Sequence, residues 1–189
     1  MVPPTDADPV DAIARAWQRE RPGTPVESIG IVTRIWRLAS LFAEDRRRVL
    51  ATQGVDAALL DLLGTLRRAG PPYRLTTRDL SERTGVTPGA ISQRLARAER
   101  DGYIARSPAG RPSRAVAVTL APKGHQLVER LVDRVLGREA ALVAGLSPSD
   151  RSQLAQLLRQ LHHTVNAEVR QEPYPAEGQR RTRPRSQPA

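Results

Sequence analysis

Acid–base or metal chemistry in this chain would have to start from three histidines, His125, His162 and His163. Their spacing fits no metal site, and no Ser or Gly-rich motif sets up a nucleophile or cradles a phosphate. The absence of cysteine excludes disulfides, Fe–S clusters, Cys-ligated zinc and a thiol nucleophile. No enzyme activity, cofactor or metal is therefore expected. What remains is recognition of anions. Thirty Lys+Arg against twenty Asp+Glu leave a formal charge of +10, which suits a polyanionic partner. Lys123 is the only lysine, so the positive charge is almost all arginine, whose fork matches phosphates and carboxylates. A GC-rich coding sequence would give the same bias, so what matters is where the arginines fall.

They fall on a recognisable scaffold. Thr76 with Asp79 three residues on reads as a capping box for a short helix ending at Gly85. Thr87-Pro88 opens a second helix, which runs through Ile91, Leu95 and Ala98 to Gly102. Two short helices joined at a Gly turn make a helix-turn-helix. Beyond it, Tyr103 to Arg106 and Arg114 to Leu120 read as strands around a Pro/Gly-rich turn, a β-hairpin with arginines at its tip. At about 100° per residue, Ile91, Leu95 and Ala98 form the buried face of the second helix. Gly89, Ser92, Gln93, Arg97 and Arg100 then point outward, with Thr87 at the cap. Gln93 can pair with adenine, and Arg97 with guanine or a phosphate. Arg111 and Arg114 would touch phosphate or the minor groove. Arg94 falls on the flank between the two faces.

Helical periods dominate elsewhere. Val32, Ile35, Trp36, Ala39 and Phe42 form one stripe and Leu59, Leu62, Leu63 and Leu66 another. A further helix is expected from Pro122 to about Gly137. Another follows Ser147-Pro148, with Leu154, Leu157, Leu158, Leu161 and Val165 on one face. Trp36 reads as a packing residue, and Trp17 either packs or lines a pocket. Asp61 lies opposite its leucine stripe, where a carboxylate is ordinarily just solvated.

Several runs give the chain a family resemblance: Arg67-Arg68-Ala69-Gly70-Pro71-Pro72-Tyr73, the helix pair, Ala98-Glu99-Arg100-Asp101-Gly102-Tyr103-Ile104-Ala105-Arg106, and Leu120-Ala121-Pro122-Lys123-Gly124. Together they resemble the MarR family of bacterial winged-helix repressors, over most of Val10 to Glu168. The resemblance implies a mainly α fold with a small β-wing, a winged helix-turn-helix between N- and C-terminal dimerisation helices. It also implies a homodimer on double-stranded DNA that releases its operator on binding a small ligand. An extra N-terminal helix carrying Trp17, together with Asp61, Arg94 and Arg106, is similar to the urate-responsive branch, in which these four types form the ligand site. The effector implied is urate or a related anionic purine. Two departures stand out. The wing reads Ala109-Gly110-Arg111-Pro112-Ser113-Arg114, without the family's usual carboxylate. Leu120-Ala121-Pro122 lacks the usual N-cap oxygen, at a cost of about 1 kcal/mol.

The expected organisation is a flexible stretch 1–9, N-terminal helices 10–54 serving as ligand lid and dimer element, a DNA-binding region 55–121, dimerisation helices 122–169 and a disordered basic tail 170–189. The tail carries Arg180, Arg181, Arg183 and Arg185 among prolines. Met1 to Asp11 has no apolar signal-like region and no run of about eighteen apolar residues occurs. No membrane association is therefore expected, and the cytoplasm is the expected compartment. The alternative from another class is a sequence-tolerant architectural DNA-binding protein whose tail does most of the binding, without an effector.

Overall fold

The structure is a computed structural model that describes residues 8–110 and 115–171, with side chains up to Val169. Contacts divide the chain into two units, one ending at Glu139 and the other beginning at Ala140. The first unit opens with α1 (Pro9–Glu20), α2 (Ile29–Ala51) and α3 (Ala57–Arg68). The winged part follows as β1 (Arg74–Thr76), α4 (Thr77–Thr84), α5 (Pro88–Arg100), β2 (Ile104–Pro108) and β3 (Val116–Leu120). The last helix of this unit, α6 (Pro122–Leu142), runs on into the second, which also holds α7 (Pro148–Gln171). The architecture is mainly α with a small antiparallel sheet, as the sequence led us to expect.

Helix starts follow local chemistry. At α4, Thr76 N–H donates to Asp79 Oδ2 at 2.9 Å and Asp79 N–H donates to Thr76 Oγ1 at 3.1 Å, completing the capping box. Gly85 then ends the helix in the left-handed region at φ 65°, which L side chains reach only with strain. Thr87 Oγ1 caps α5 ahead of Pro88. Ser147 caps α7, with Asp150 N–H donating to its Oγ at 3.1 Å. Asp8, within the stretch expected to be flexible, accepts from Val10 N–H at 2.9 Å as the cap of α1. Its second oxygen and Asp11 both take the Arg34 guanidinium, at 2.7 and 2.8 Å, tying α1 to α2.

One core joins α3, the helix pair, the sheet and α6. Leu62, Leu63 and Leu66 from α3 meet Leu80, Ile91, Leu95 and Ala98, together with Val118, Val128 and Leu131. Burying each such side chain is worth roughly 1.5–3 kcal/mol in transfer terms. The sheet order is β1-β3-β2, with Leu75 opposite Val118 and Ile104 opposite Leu120. Gly124 at the start of α6 lets that helix lie against the turn after α5, because a Cβ there would fall inside the Tyr103 carbonyl.

Three details differ from the sequence reading. The third strand, β1, went unrecognised because Arg-Leu-Thr is too short for its alternation to show. α6 passes through Gly137 to Leu142. An internal Gly costs only about 1 kcal/mol, and the flanking Arg138 and Glu139 are held by Asp45 at 2.8 Å and Arg46 at 3.2 Å. Trp36 is not packed within the chain. It is 69% exposed and shares a shallow groove on α2 with Leu41, while Ile31 and Leu38 are exposed elsewhere around the same helix.

Candidate nucleic-acid interface and pocket

The α5 seam of Ile91, Leu95 and Ala98 is buried, which turns the rest of the helix outward. Thr87, Gly89, Ser92, Gln93, Arg97 and Arg100 are all exposed. Ser92 Oγ donates to the Pro88 carbonyl at 2.9 Å, and a side chain at Gly89 would meet nothing within 4 Å. The first turns of α5 therefore present an open polar surface of the kind that enters a major groove.

Arg97 is not a bare cation. Its Nη1 donates to Asp56 Oδ2 at 2.6 Å, and its Nε stands 4.0 Å from Asp101 Oδ2. Asp56 also caps α3, accepting from Leu59 N–H at 2.8 Å. That backbone bond, with Arg97 second among the favourable contacts, holds the Asp56 carboxyl below the usual carboxylate range. The sequence reading missed Asp56. The local signal, an acidic residue just ahead of an Ala-Ala-Leu-Leu helix, marks the cap but not a partner 41 positions away.

The hairpin closes where Ala109 N–H donates to the Ala115 carbonyl at 2.8 Å. Arg111 and Arg114, expected at the tip, lie outside the described residues, as does the basic tail beyond 171. The wing is clasped to α5 by Glu99. Its carboxylate accepts from Arg106 Nε at 2.8 Å, from Arg106 Nη2, and from the Arg106 backbone N–H at 3.2 Å. The Arg106 bonds hold the Glu99 carboxyl below its ordinary range and push the guanidinium up. Beside this joint, Lys123 Nζ donates to the Asp101 carbonyl at 2.8 Å and sits 4.8 Å over the Tyr103 ring.

A cavity of about 820 Å³ opens between α3, α5 and α6. Asp61 and Arg94 both line it, with Arg46, Arg67 and Arg68, beside an apolar side that includes Val128 and Leu136. Apolar walls with a few convergent charges are the usual form of a small-molecule site. Two of the four residues matched to a ligand site thus share one pocket, and two do not. Trp17, 51% exposed on α1, and Arg106, engaged by Glu99, are not part of this lining. Arg46 and Arg68 were not singled out in the sequence, since only the fold brings α2 and the end of α3 to the same opening. No group of three or more His, Asp or Glu side chains among the described residues could hold a metal. No described helix is long and apolar enough to cross a membrane.

Residues 53–115, which span the helix pair and the first wing strand and stop short of β3, match the family model described as MarR family. The HTH-type transcriptional regulator PecS of Dickeya dadantii is 27% identical over 158 residues, covering 83% of this chain and 95% of that protein. Among solved structures, AbsC of Streptomyces coelicolor, a MarR family transcriptional regulator, superposes with a TM-score of 0.66 at 16% identity, covering 76% of this chain and 97% of that one. A mutant MarR from E. coli, solved in complex with operator DNA, gives 0.58 at 23% identity, covering 71% and 97%. The middle of the chain is thus similar to the MarR family, and the fold is the winged-helix fold of the MarR proteins it superposes on.

Proposed function

We propose that the protein is a dimeric repressor that reads a pseudo-palindromic operator with α5 and leaves it when a small anionic aromatic ligand, such as urate, enters the Asp61–Arg94 pocket. The observation that carries this reading is that Arg94 lines the pocket from the flank of the same helix whose outward face is open and polar. A ligand pulling on Arg94 pulls on the reading head. Thr87, Gly89, Ser92, Gln93 and Arg97 form the groove-facing set, and Arg111 and Arg114 supply the wing's contacts. The exposed α2 face with Trp36 and Leu41 suits burial against a second copy.

Urate at neutral pH is a flat monoanion. Arg94 and Arg68 answer its charge, Val128 and Leu136 its ring, and Asp61 repels it, so occupancy strains the pocket. Arg106 reaches the anion only by exchanging Glu99, which would loosen the wing from α5, and Trp17 would close over the ring from α1. A tenfold loss of operator affinity needs about 1.4 kcal/mol of preference for the DNA-incompetent state. The test is a footprint with and without millimolar urate or xanthine. A short protected pseudo-palindrome that is lost on adding ligand supports the reading. Protection indifferent to ligand removes the effector, and coating without a preferred site turns the protein into an architectural binder.

A further inference from the structure

Asp56 does two jobs at once. One oxygen caps α3 through Leu59 N–H, and the other grips Arg97 Nη1 at 2.6 Å. Asp101 Oδ2 stands 4.0 Å from Arg97 Nε and its Oδ1 3.9 Å from Arg100 Nε, so Asp101 is shared between two cations and Asp56 is the close partner of Arg97. Such a guanidinium is a weaker phosphate ligand than a free one, because the Asp56 carboxylate at contact distance already answers its charge and repels an approaching phosphate well within the Debye length of about 8 Å. It remains a good reader of a neutral base edge. Guanine offers two acceptors to directional N–H groups, and Arg97, with five N–H groups and a side chain still 53% exposed, keeps donors to spare. Gripping one end of the fork also removes rotamer freedom that would otherwise be lost on binding.

We propose that Asp56, acting through Arg97, is a specificity-determining residue: it weakens the hold of Arg97 on phosphates and orients it for a base edge, so that it raises operator discrimination rather than affinity. The inference rests on the reading of α5 as the operator-reading helix. The Leu59 and Arg97 contacts that hold the Asp56 carboxyl below its usual range keep this site charged at neutral pH.

Asp56→Asn is the informative variant, because Asn caps a helix as well as Asp does but carries no charge. Asp56→Ser also caps and is too short to reach Arg97, so it serves as a second variant. Each protein is titrated against a duplex selected from a random library by the unsubstituted protein, and against a scrambled duplex of equal length. Both variants should bind the scrambled duplex more tightly, with a salt slope steeper by about one phosphate contact. The selected-to-scrambled ratio should fall by roughly fivefold or more, the lower end of what one base contact contributes. In an Arg97→Ala background the same substitutions should change that ratio by less than about twofold, since no oriented fork remains to be lost. Undiminished discrimination in Asp56→Asn, or an effect that survives Arg97→Ala, overturns the proposal alone. An unsubstituted protein that selects no preferred duplex overturns the operator reading and this proposal with it.

Discussion

Arg94 and Arg106 carry the same charge a dozen residues apart and hold different positions: one lines a cavity, the other is bound on two sides by a carboxylate. Different outcomes follow. Arg94→Ala should leave the fold intact and remove the response of operator binding to an anionic aromatic ligand, shown by a ligand titration of the complex that goes flat. Glu99→Gln should free the Arg106 guanidinium and amide, read as faster hydrogen exchange at the Arg106 N–H. The pH dependence of that clasp has a definite sign. The Glu99 carboxyl is depressed in the folded chain by Arg106, so its contribution is present above the ordinary glutamate value, about 4.3, and is lost as pH falls through the lower folded value. The clasp is thus constant around neutrality and opens only in acid. In Glu99→Gln the acid limb of the Arg106 exchange profile should vanish.

At the scale of elements, two close approaches set the frame. Gly124→Ala would drive a methyl into the Tyr103 carbonyl and to 3.0 Å from Leu120 Cδ1. The start of α6 must then move off the turn after α5, at a cost of about 1–3 kcal/mol for overpacking, measurable by denaturant unfolding. Thr76→Ala breaks the capping box of α4 and should cost about 1 kcal/mol. The carboxyl that completes the box, Asp79, is held below its usual range first by the Thr76 hydroxyl and then by its N–H, so this part of the stability is lost on acidification. The caps at Thr76, Gly85 and Thr87 were legible in the sequence because a cap is a contact over three or four residues. The buried seam of α5 was legible because its period is local. The partners of Arg97 and Arg106 were not, since Asp56 lies 41 positions from Arg97, and even Glu99, only seven from Arg106, reaches it across the turn from helix to strand. Trp36 misled for a related reason: an apolar stripe states that a face is to be covered, but not by which chain.

For the whole molecule, the exposed α2 face and the open α5 surface should act together. If a second copy covers Trp36 and Leu41, Trp36→Arg should yield a monomer by light scattering, with operator affinity lost because one reading helix cannot span two half-sites about 10 bp apart. Affinity of the unsubstituted protein should drop by about 10³–10⁵ between 50 and 200 mM salt if six to ten phosphates are engaged. One detail at the joint of helix and wing bears on how that charge can be controlled. The side chain resting on Tyr103 and bonded to the Asp101 carbonyl is the sole lysine among thirty cationic residues. Acetyl transfer to every side-chain amine would therefore cancel one positive charge of the thirty, and the rest, being guanidinium groups, stay protonated to beyond about pH 12. The pull of this protein on a polyanion is thus almost immune to amine acylation and to alkali short of that limit, leaving added salt, a bound ligand, or its own carboxylates to turn it down.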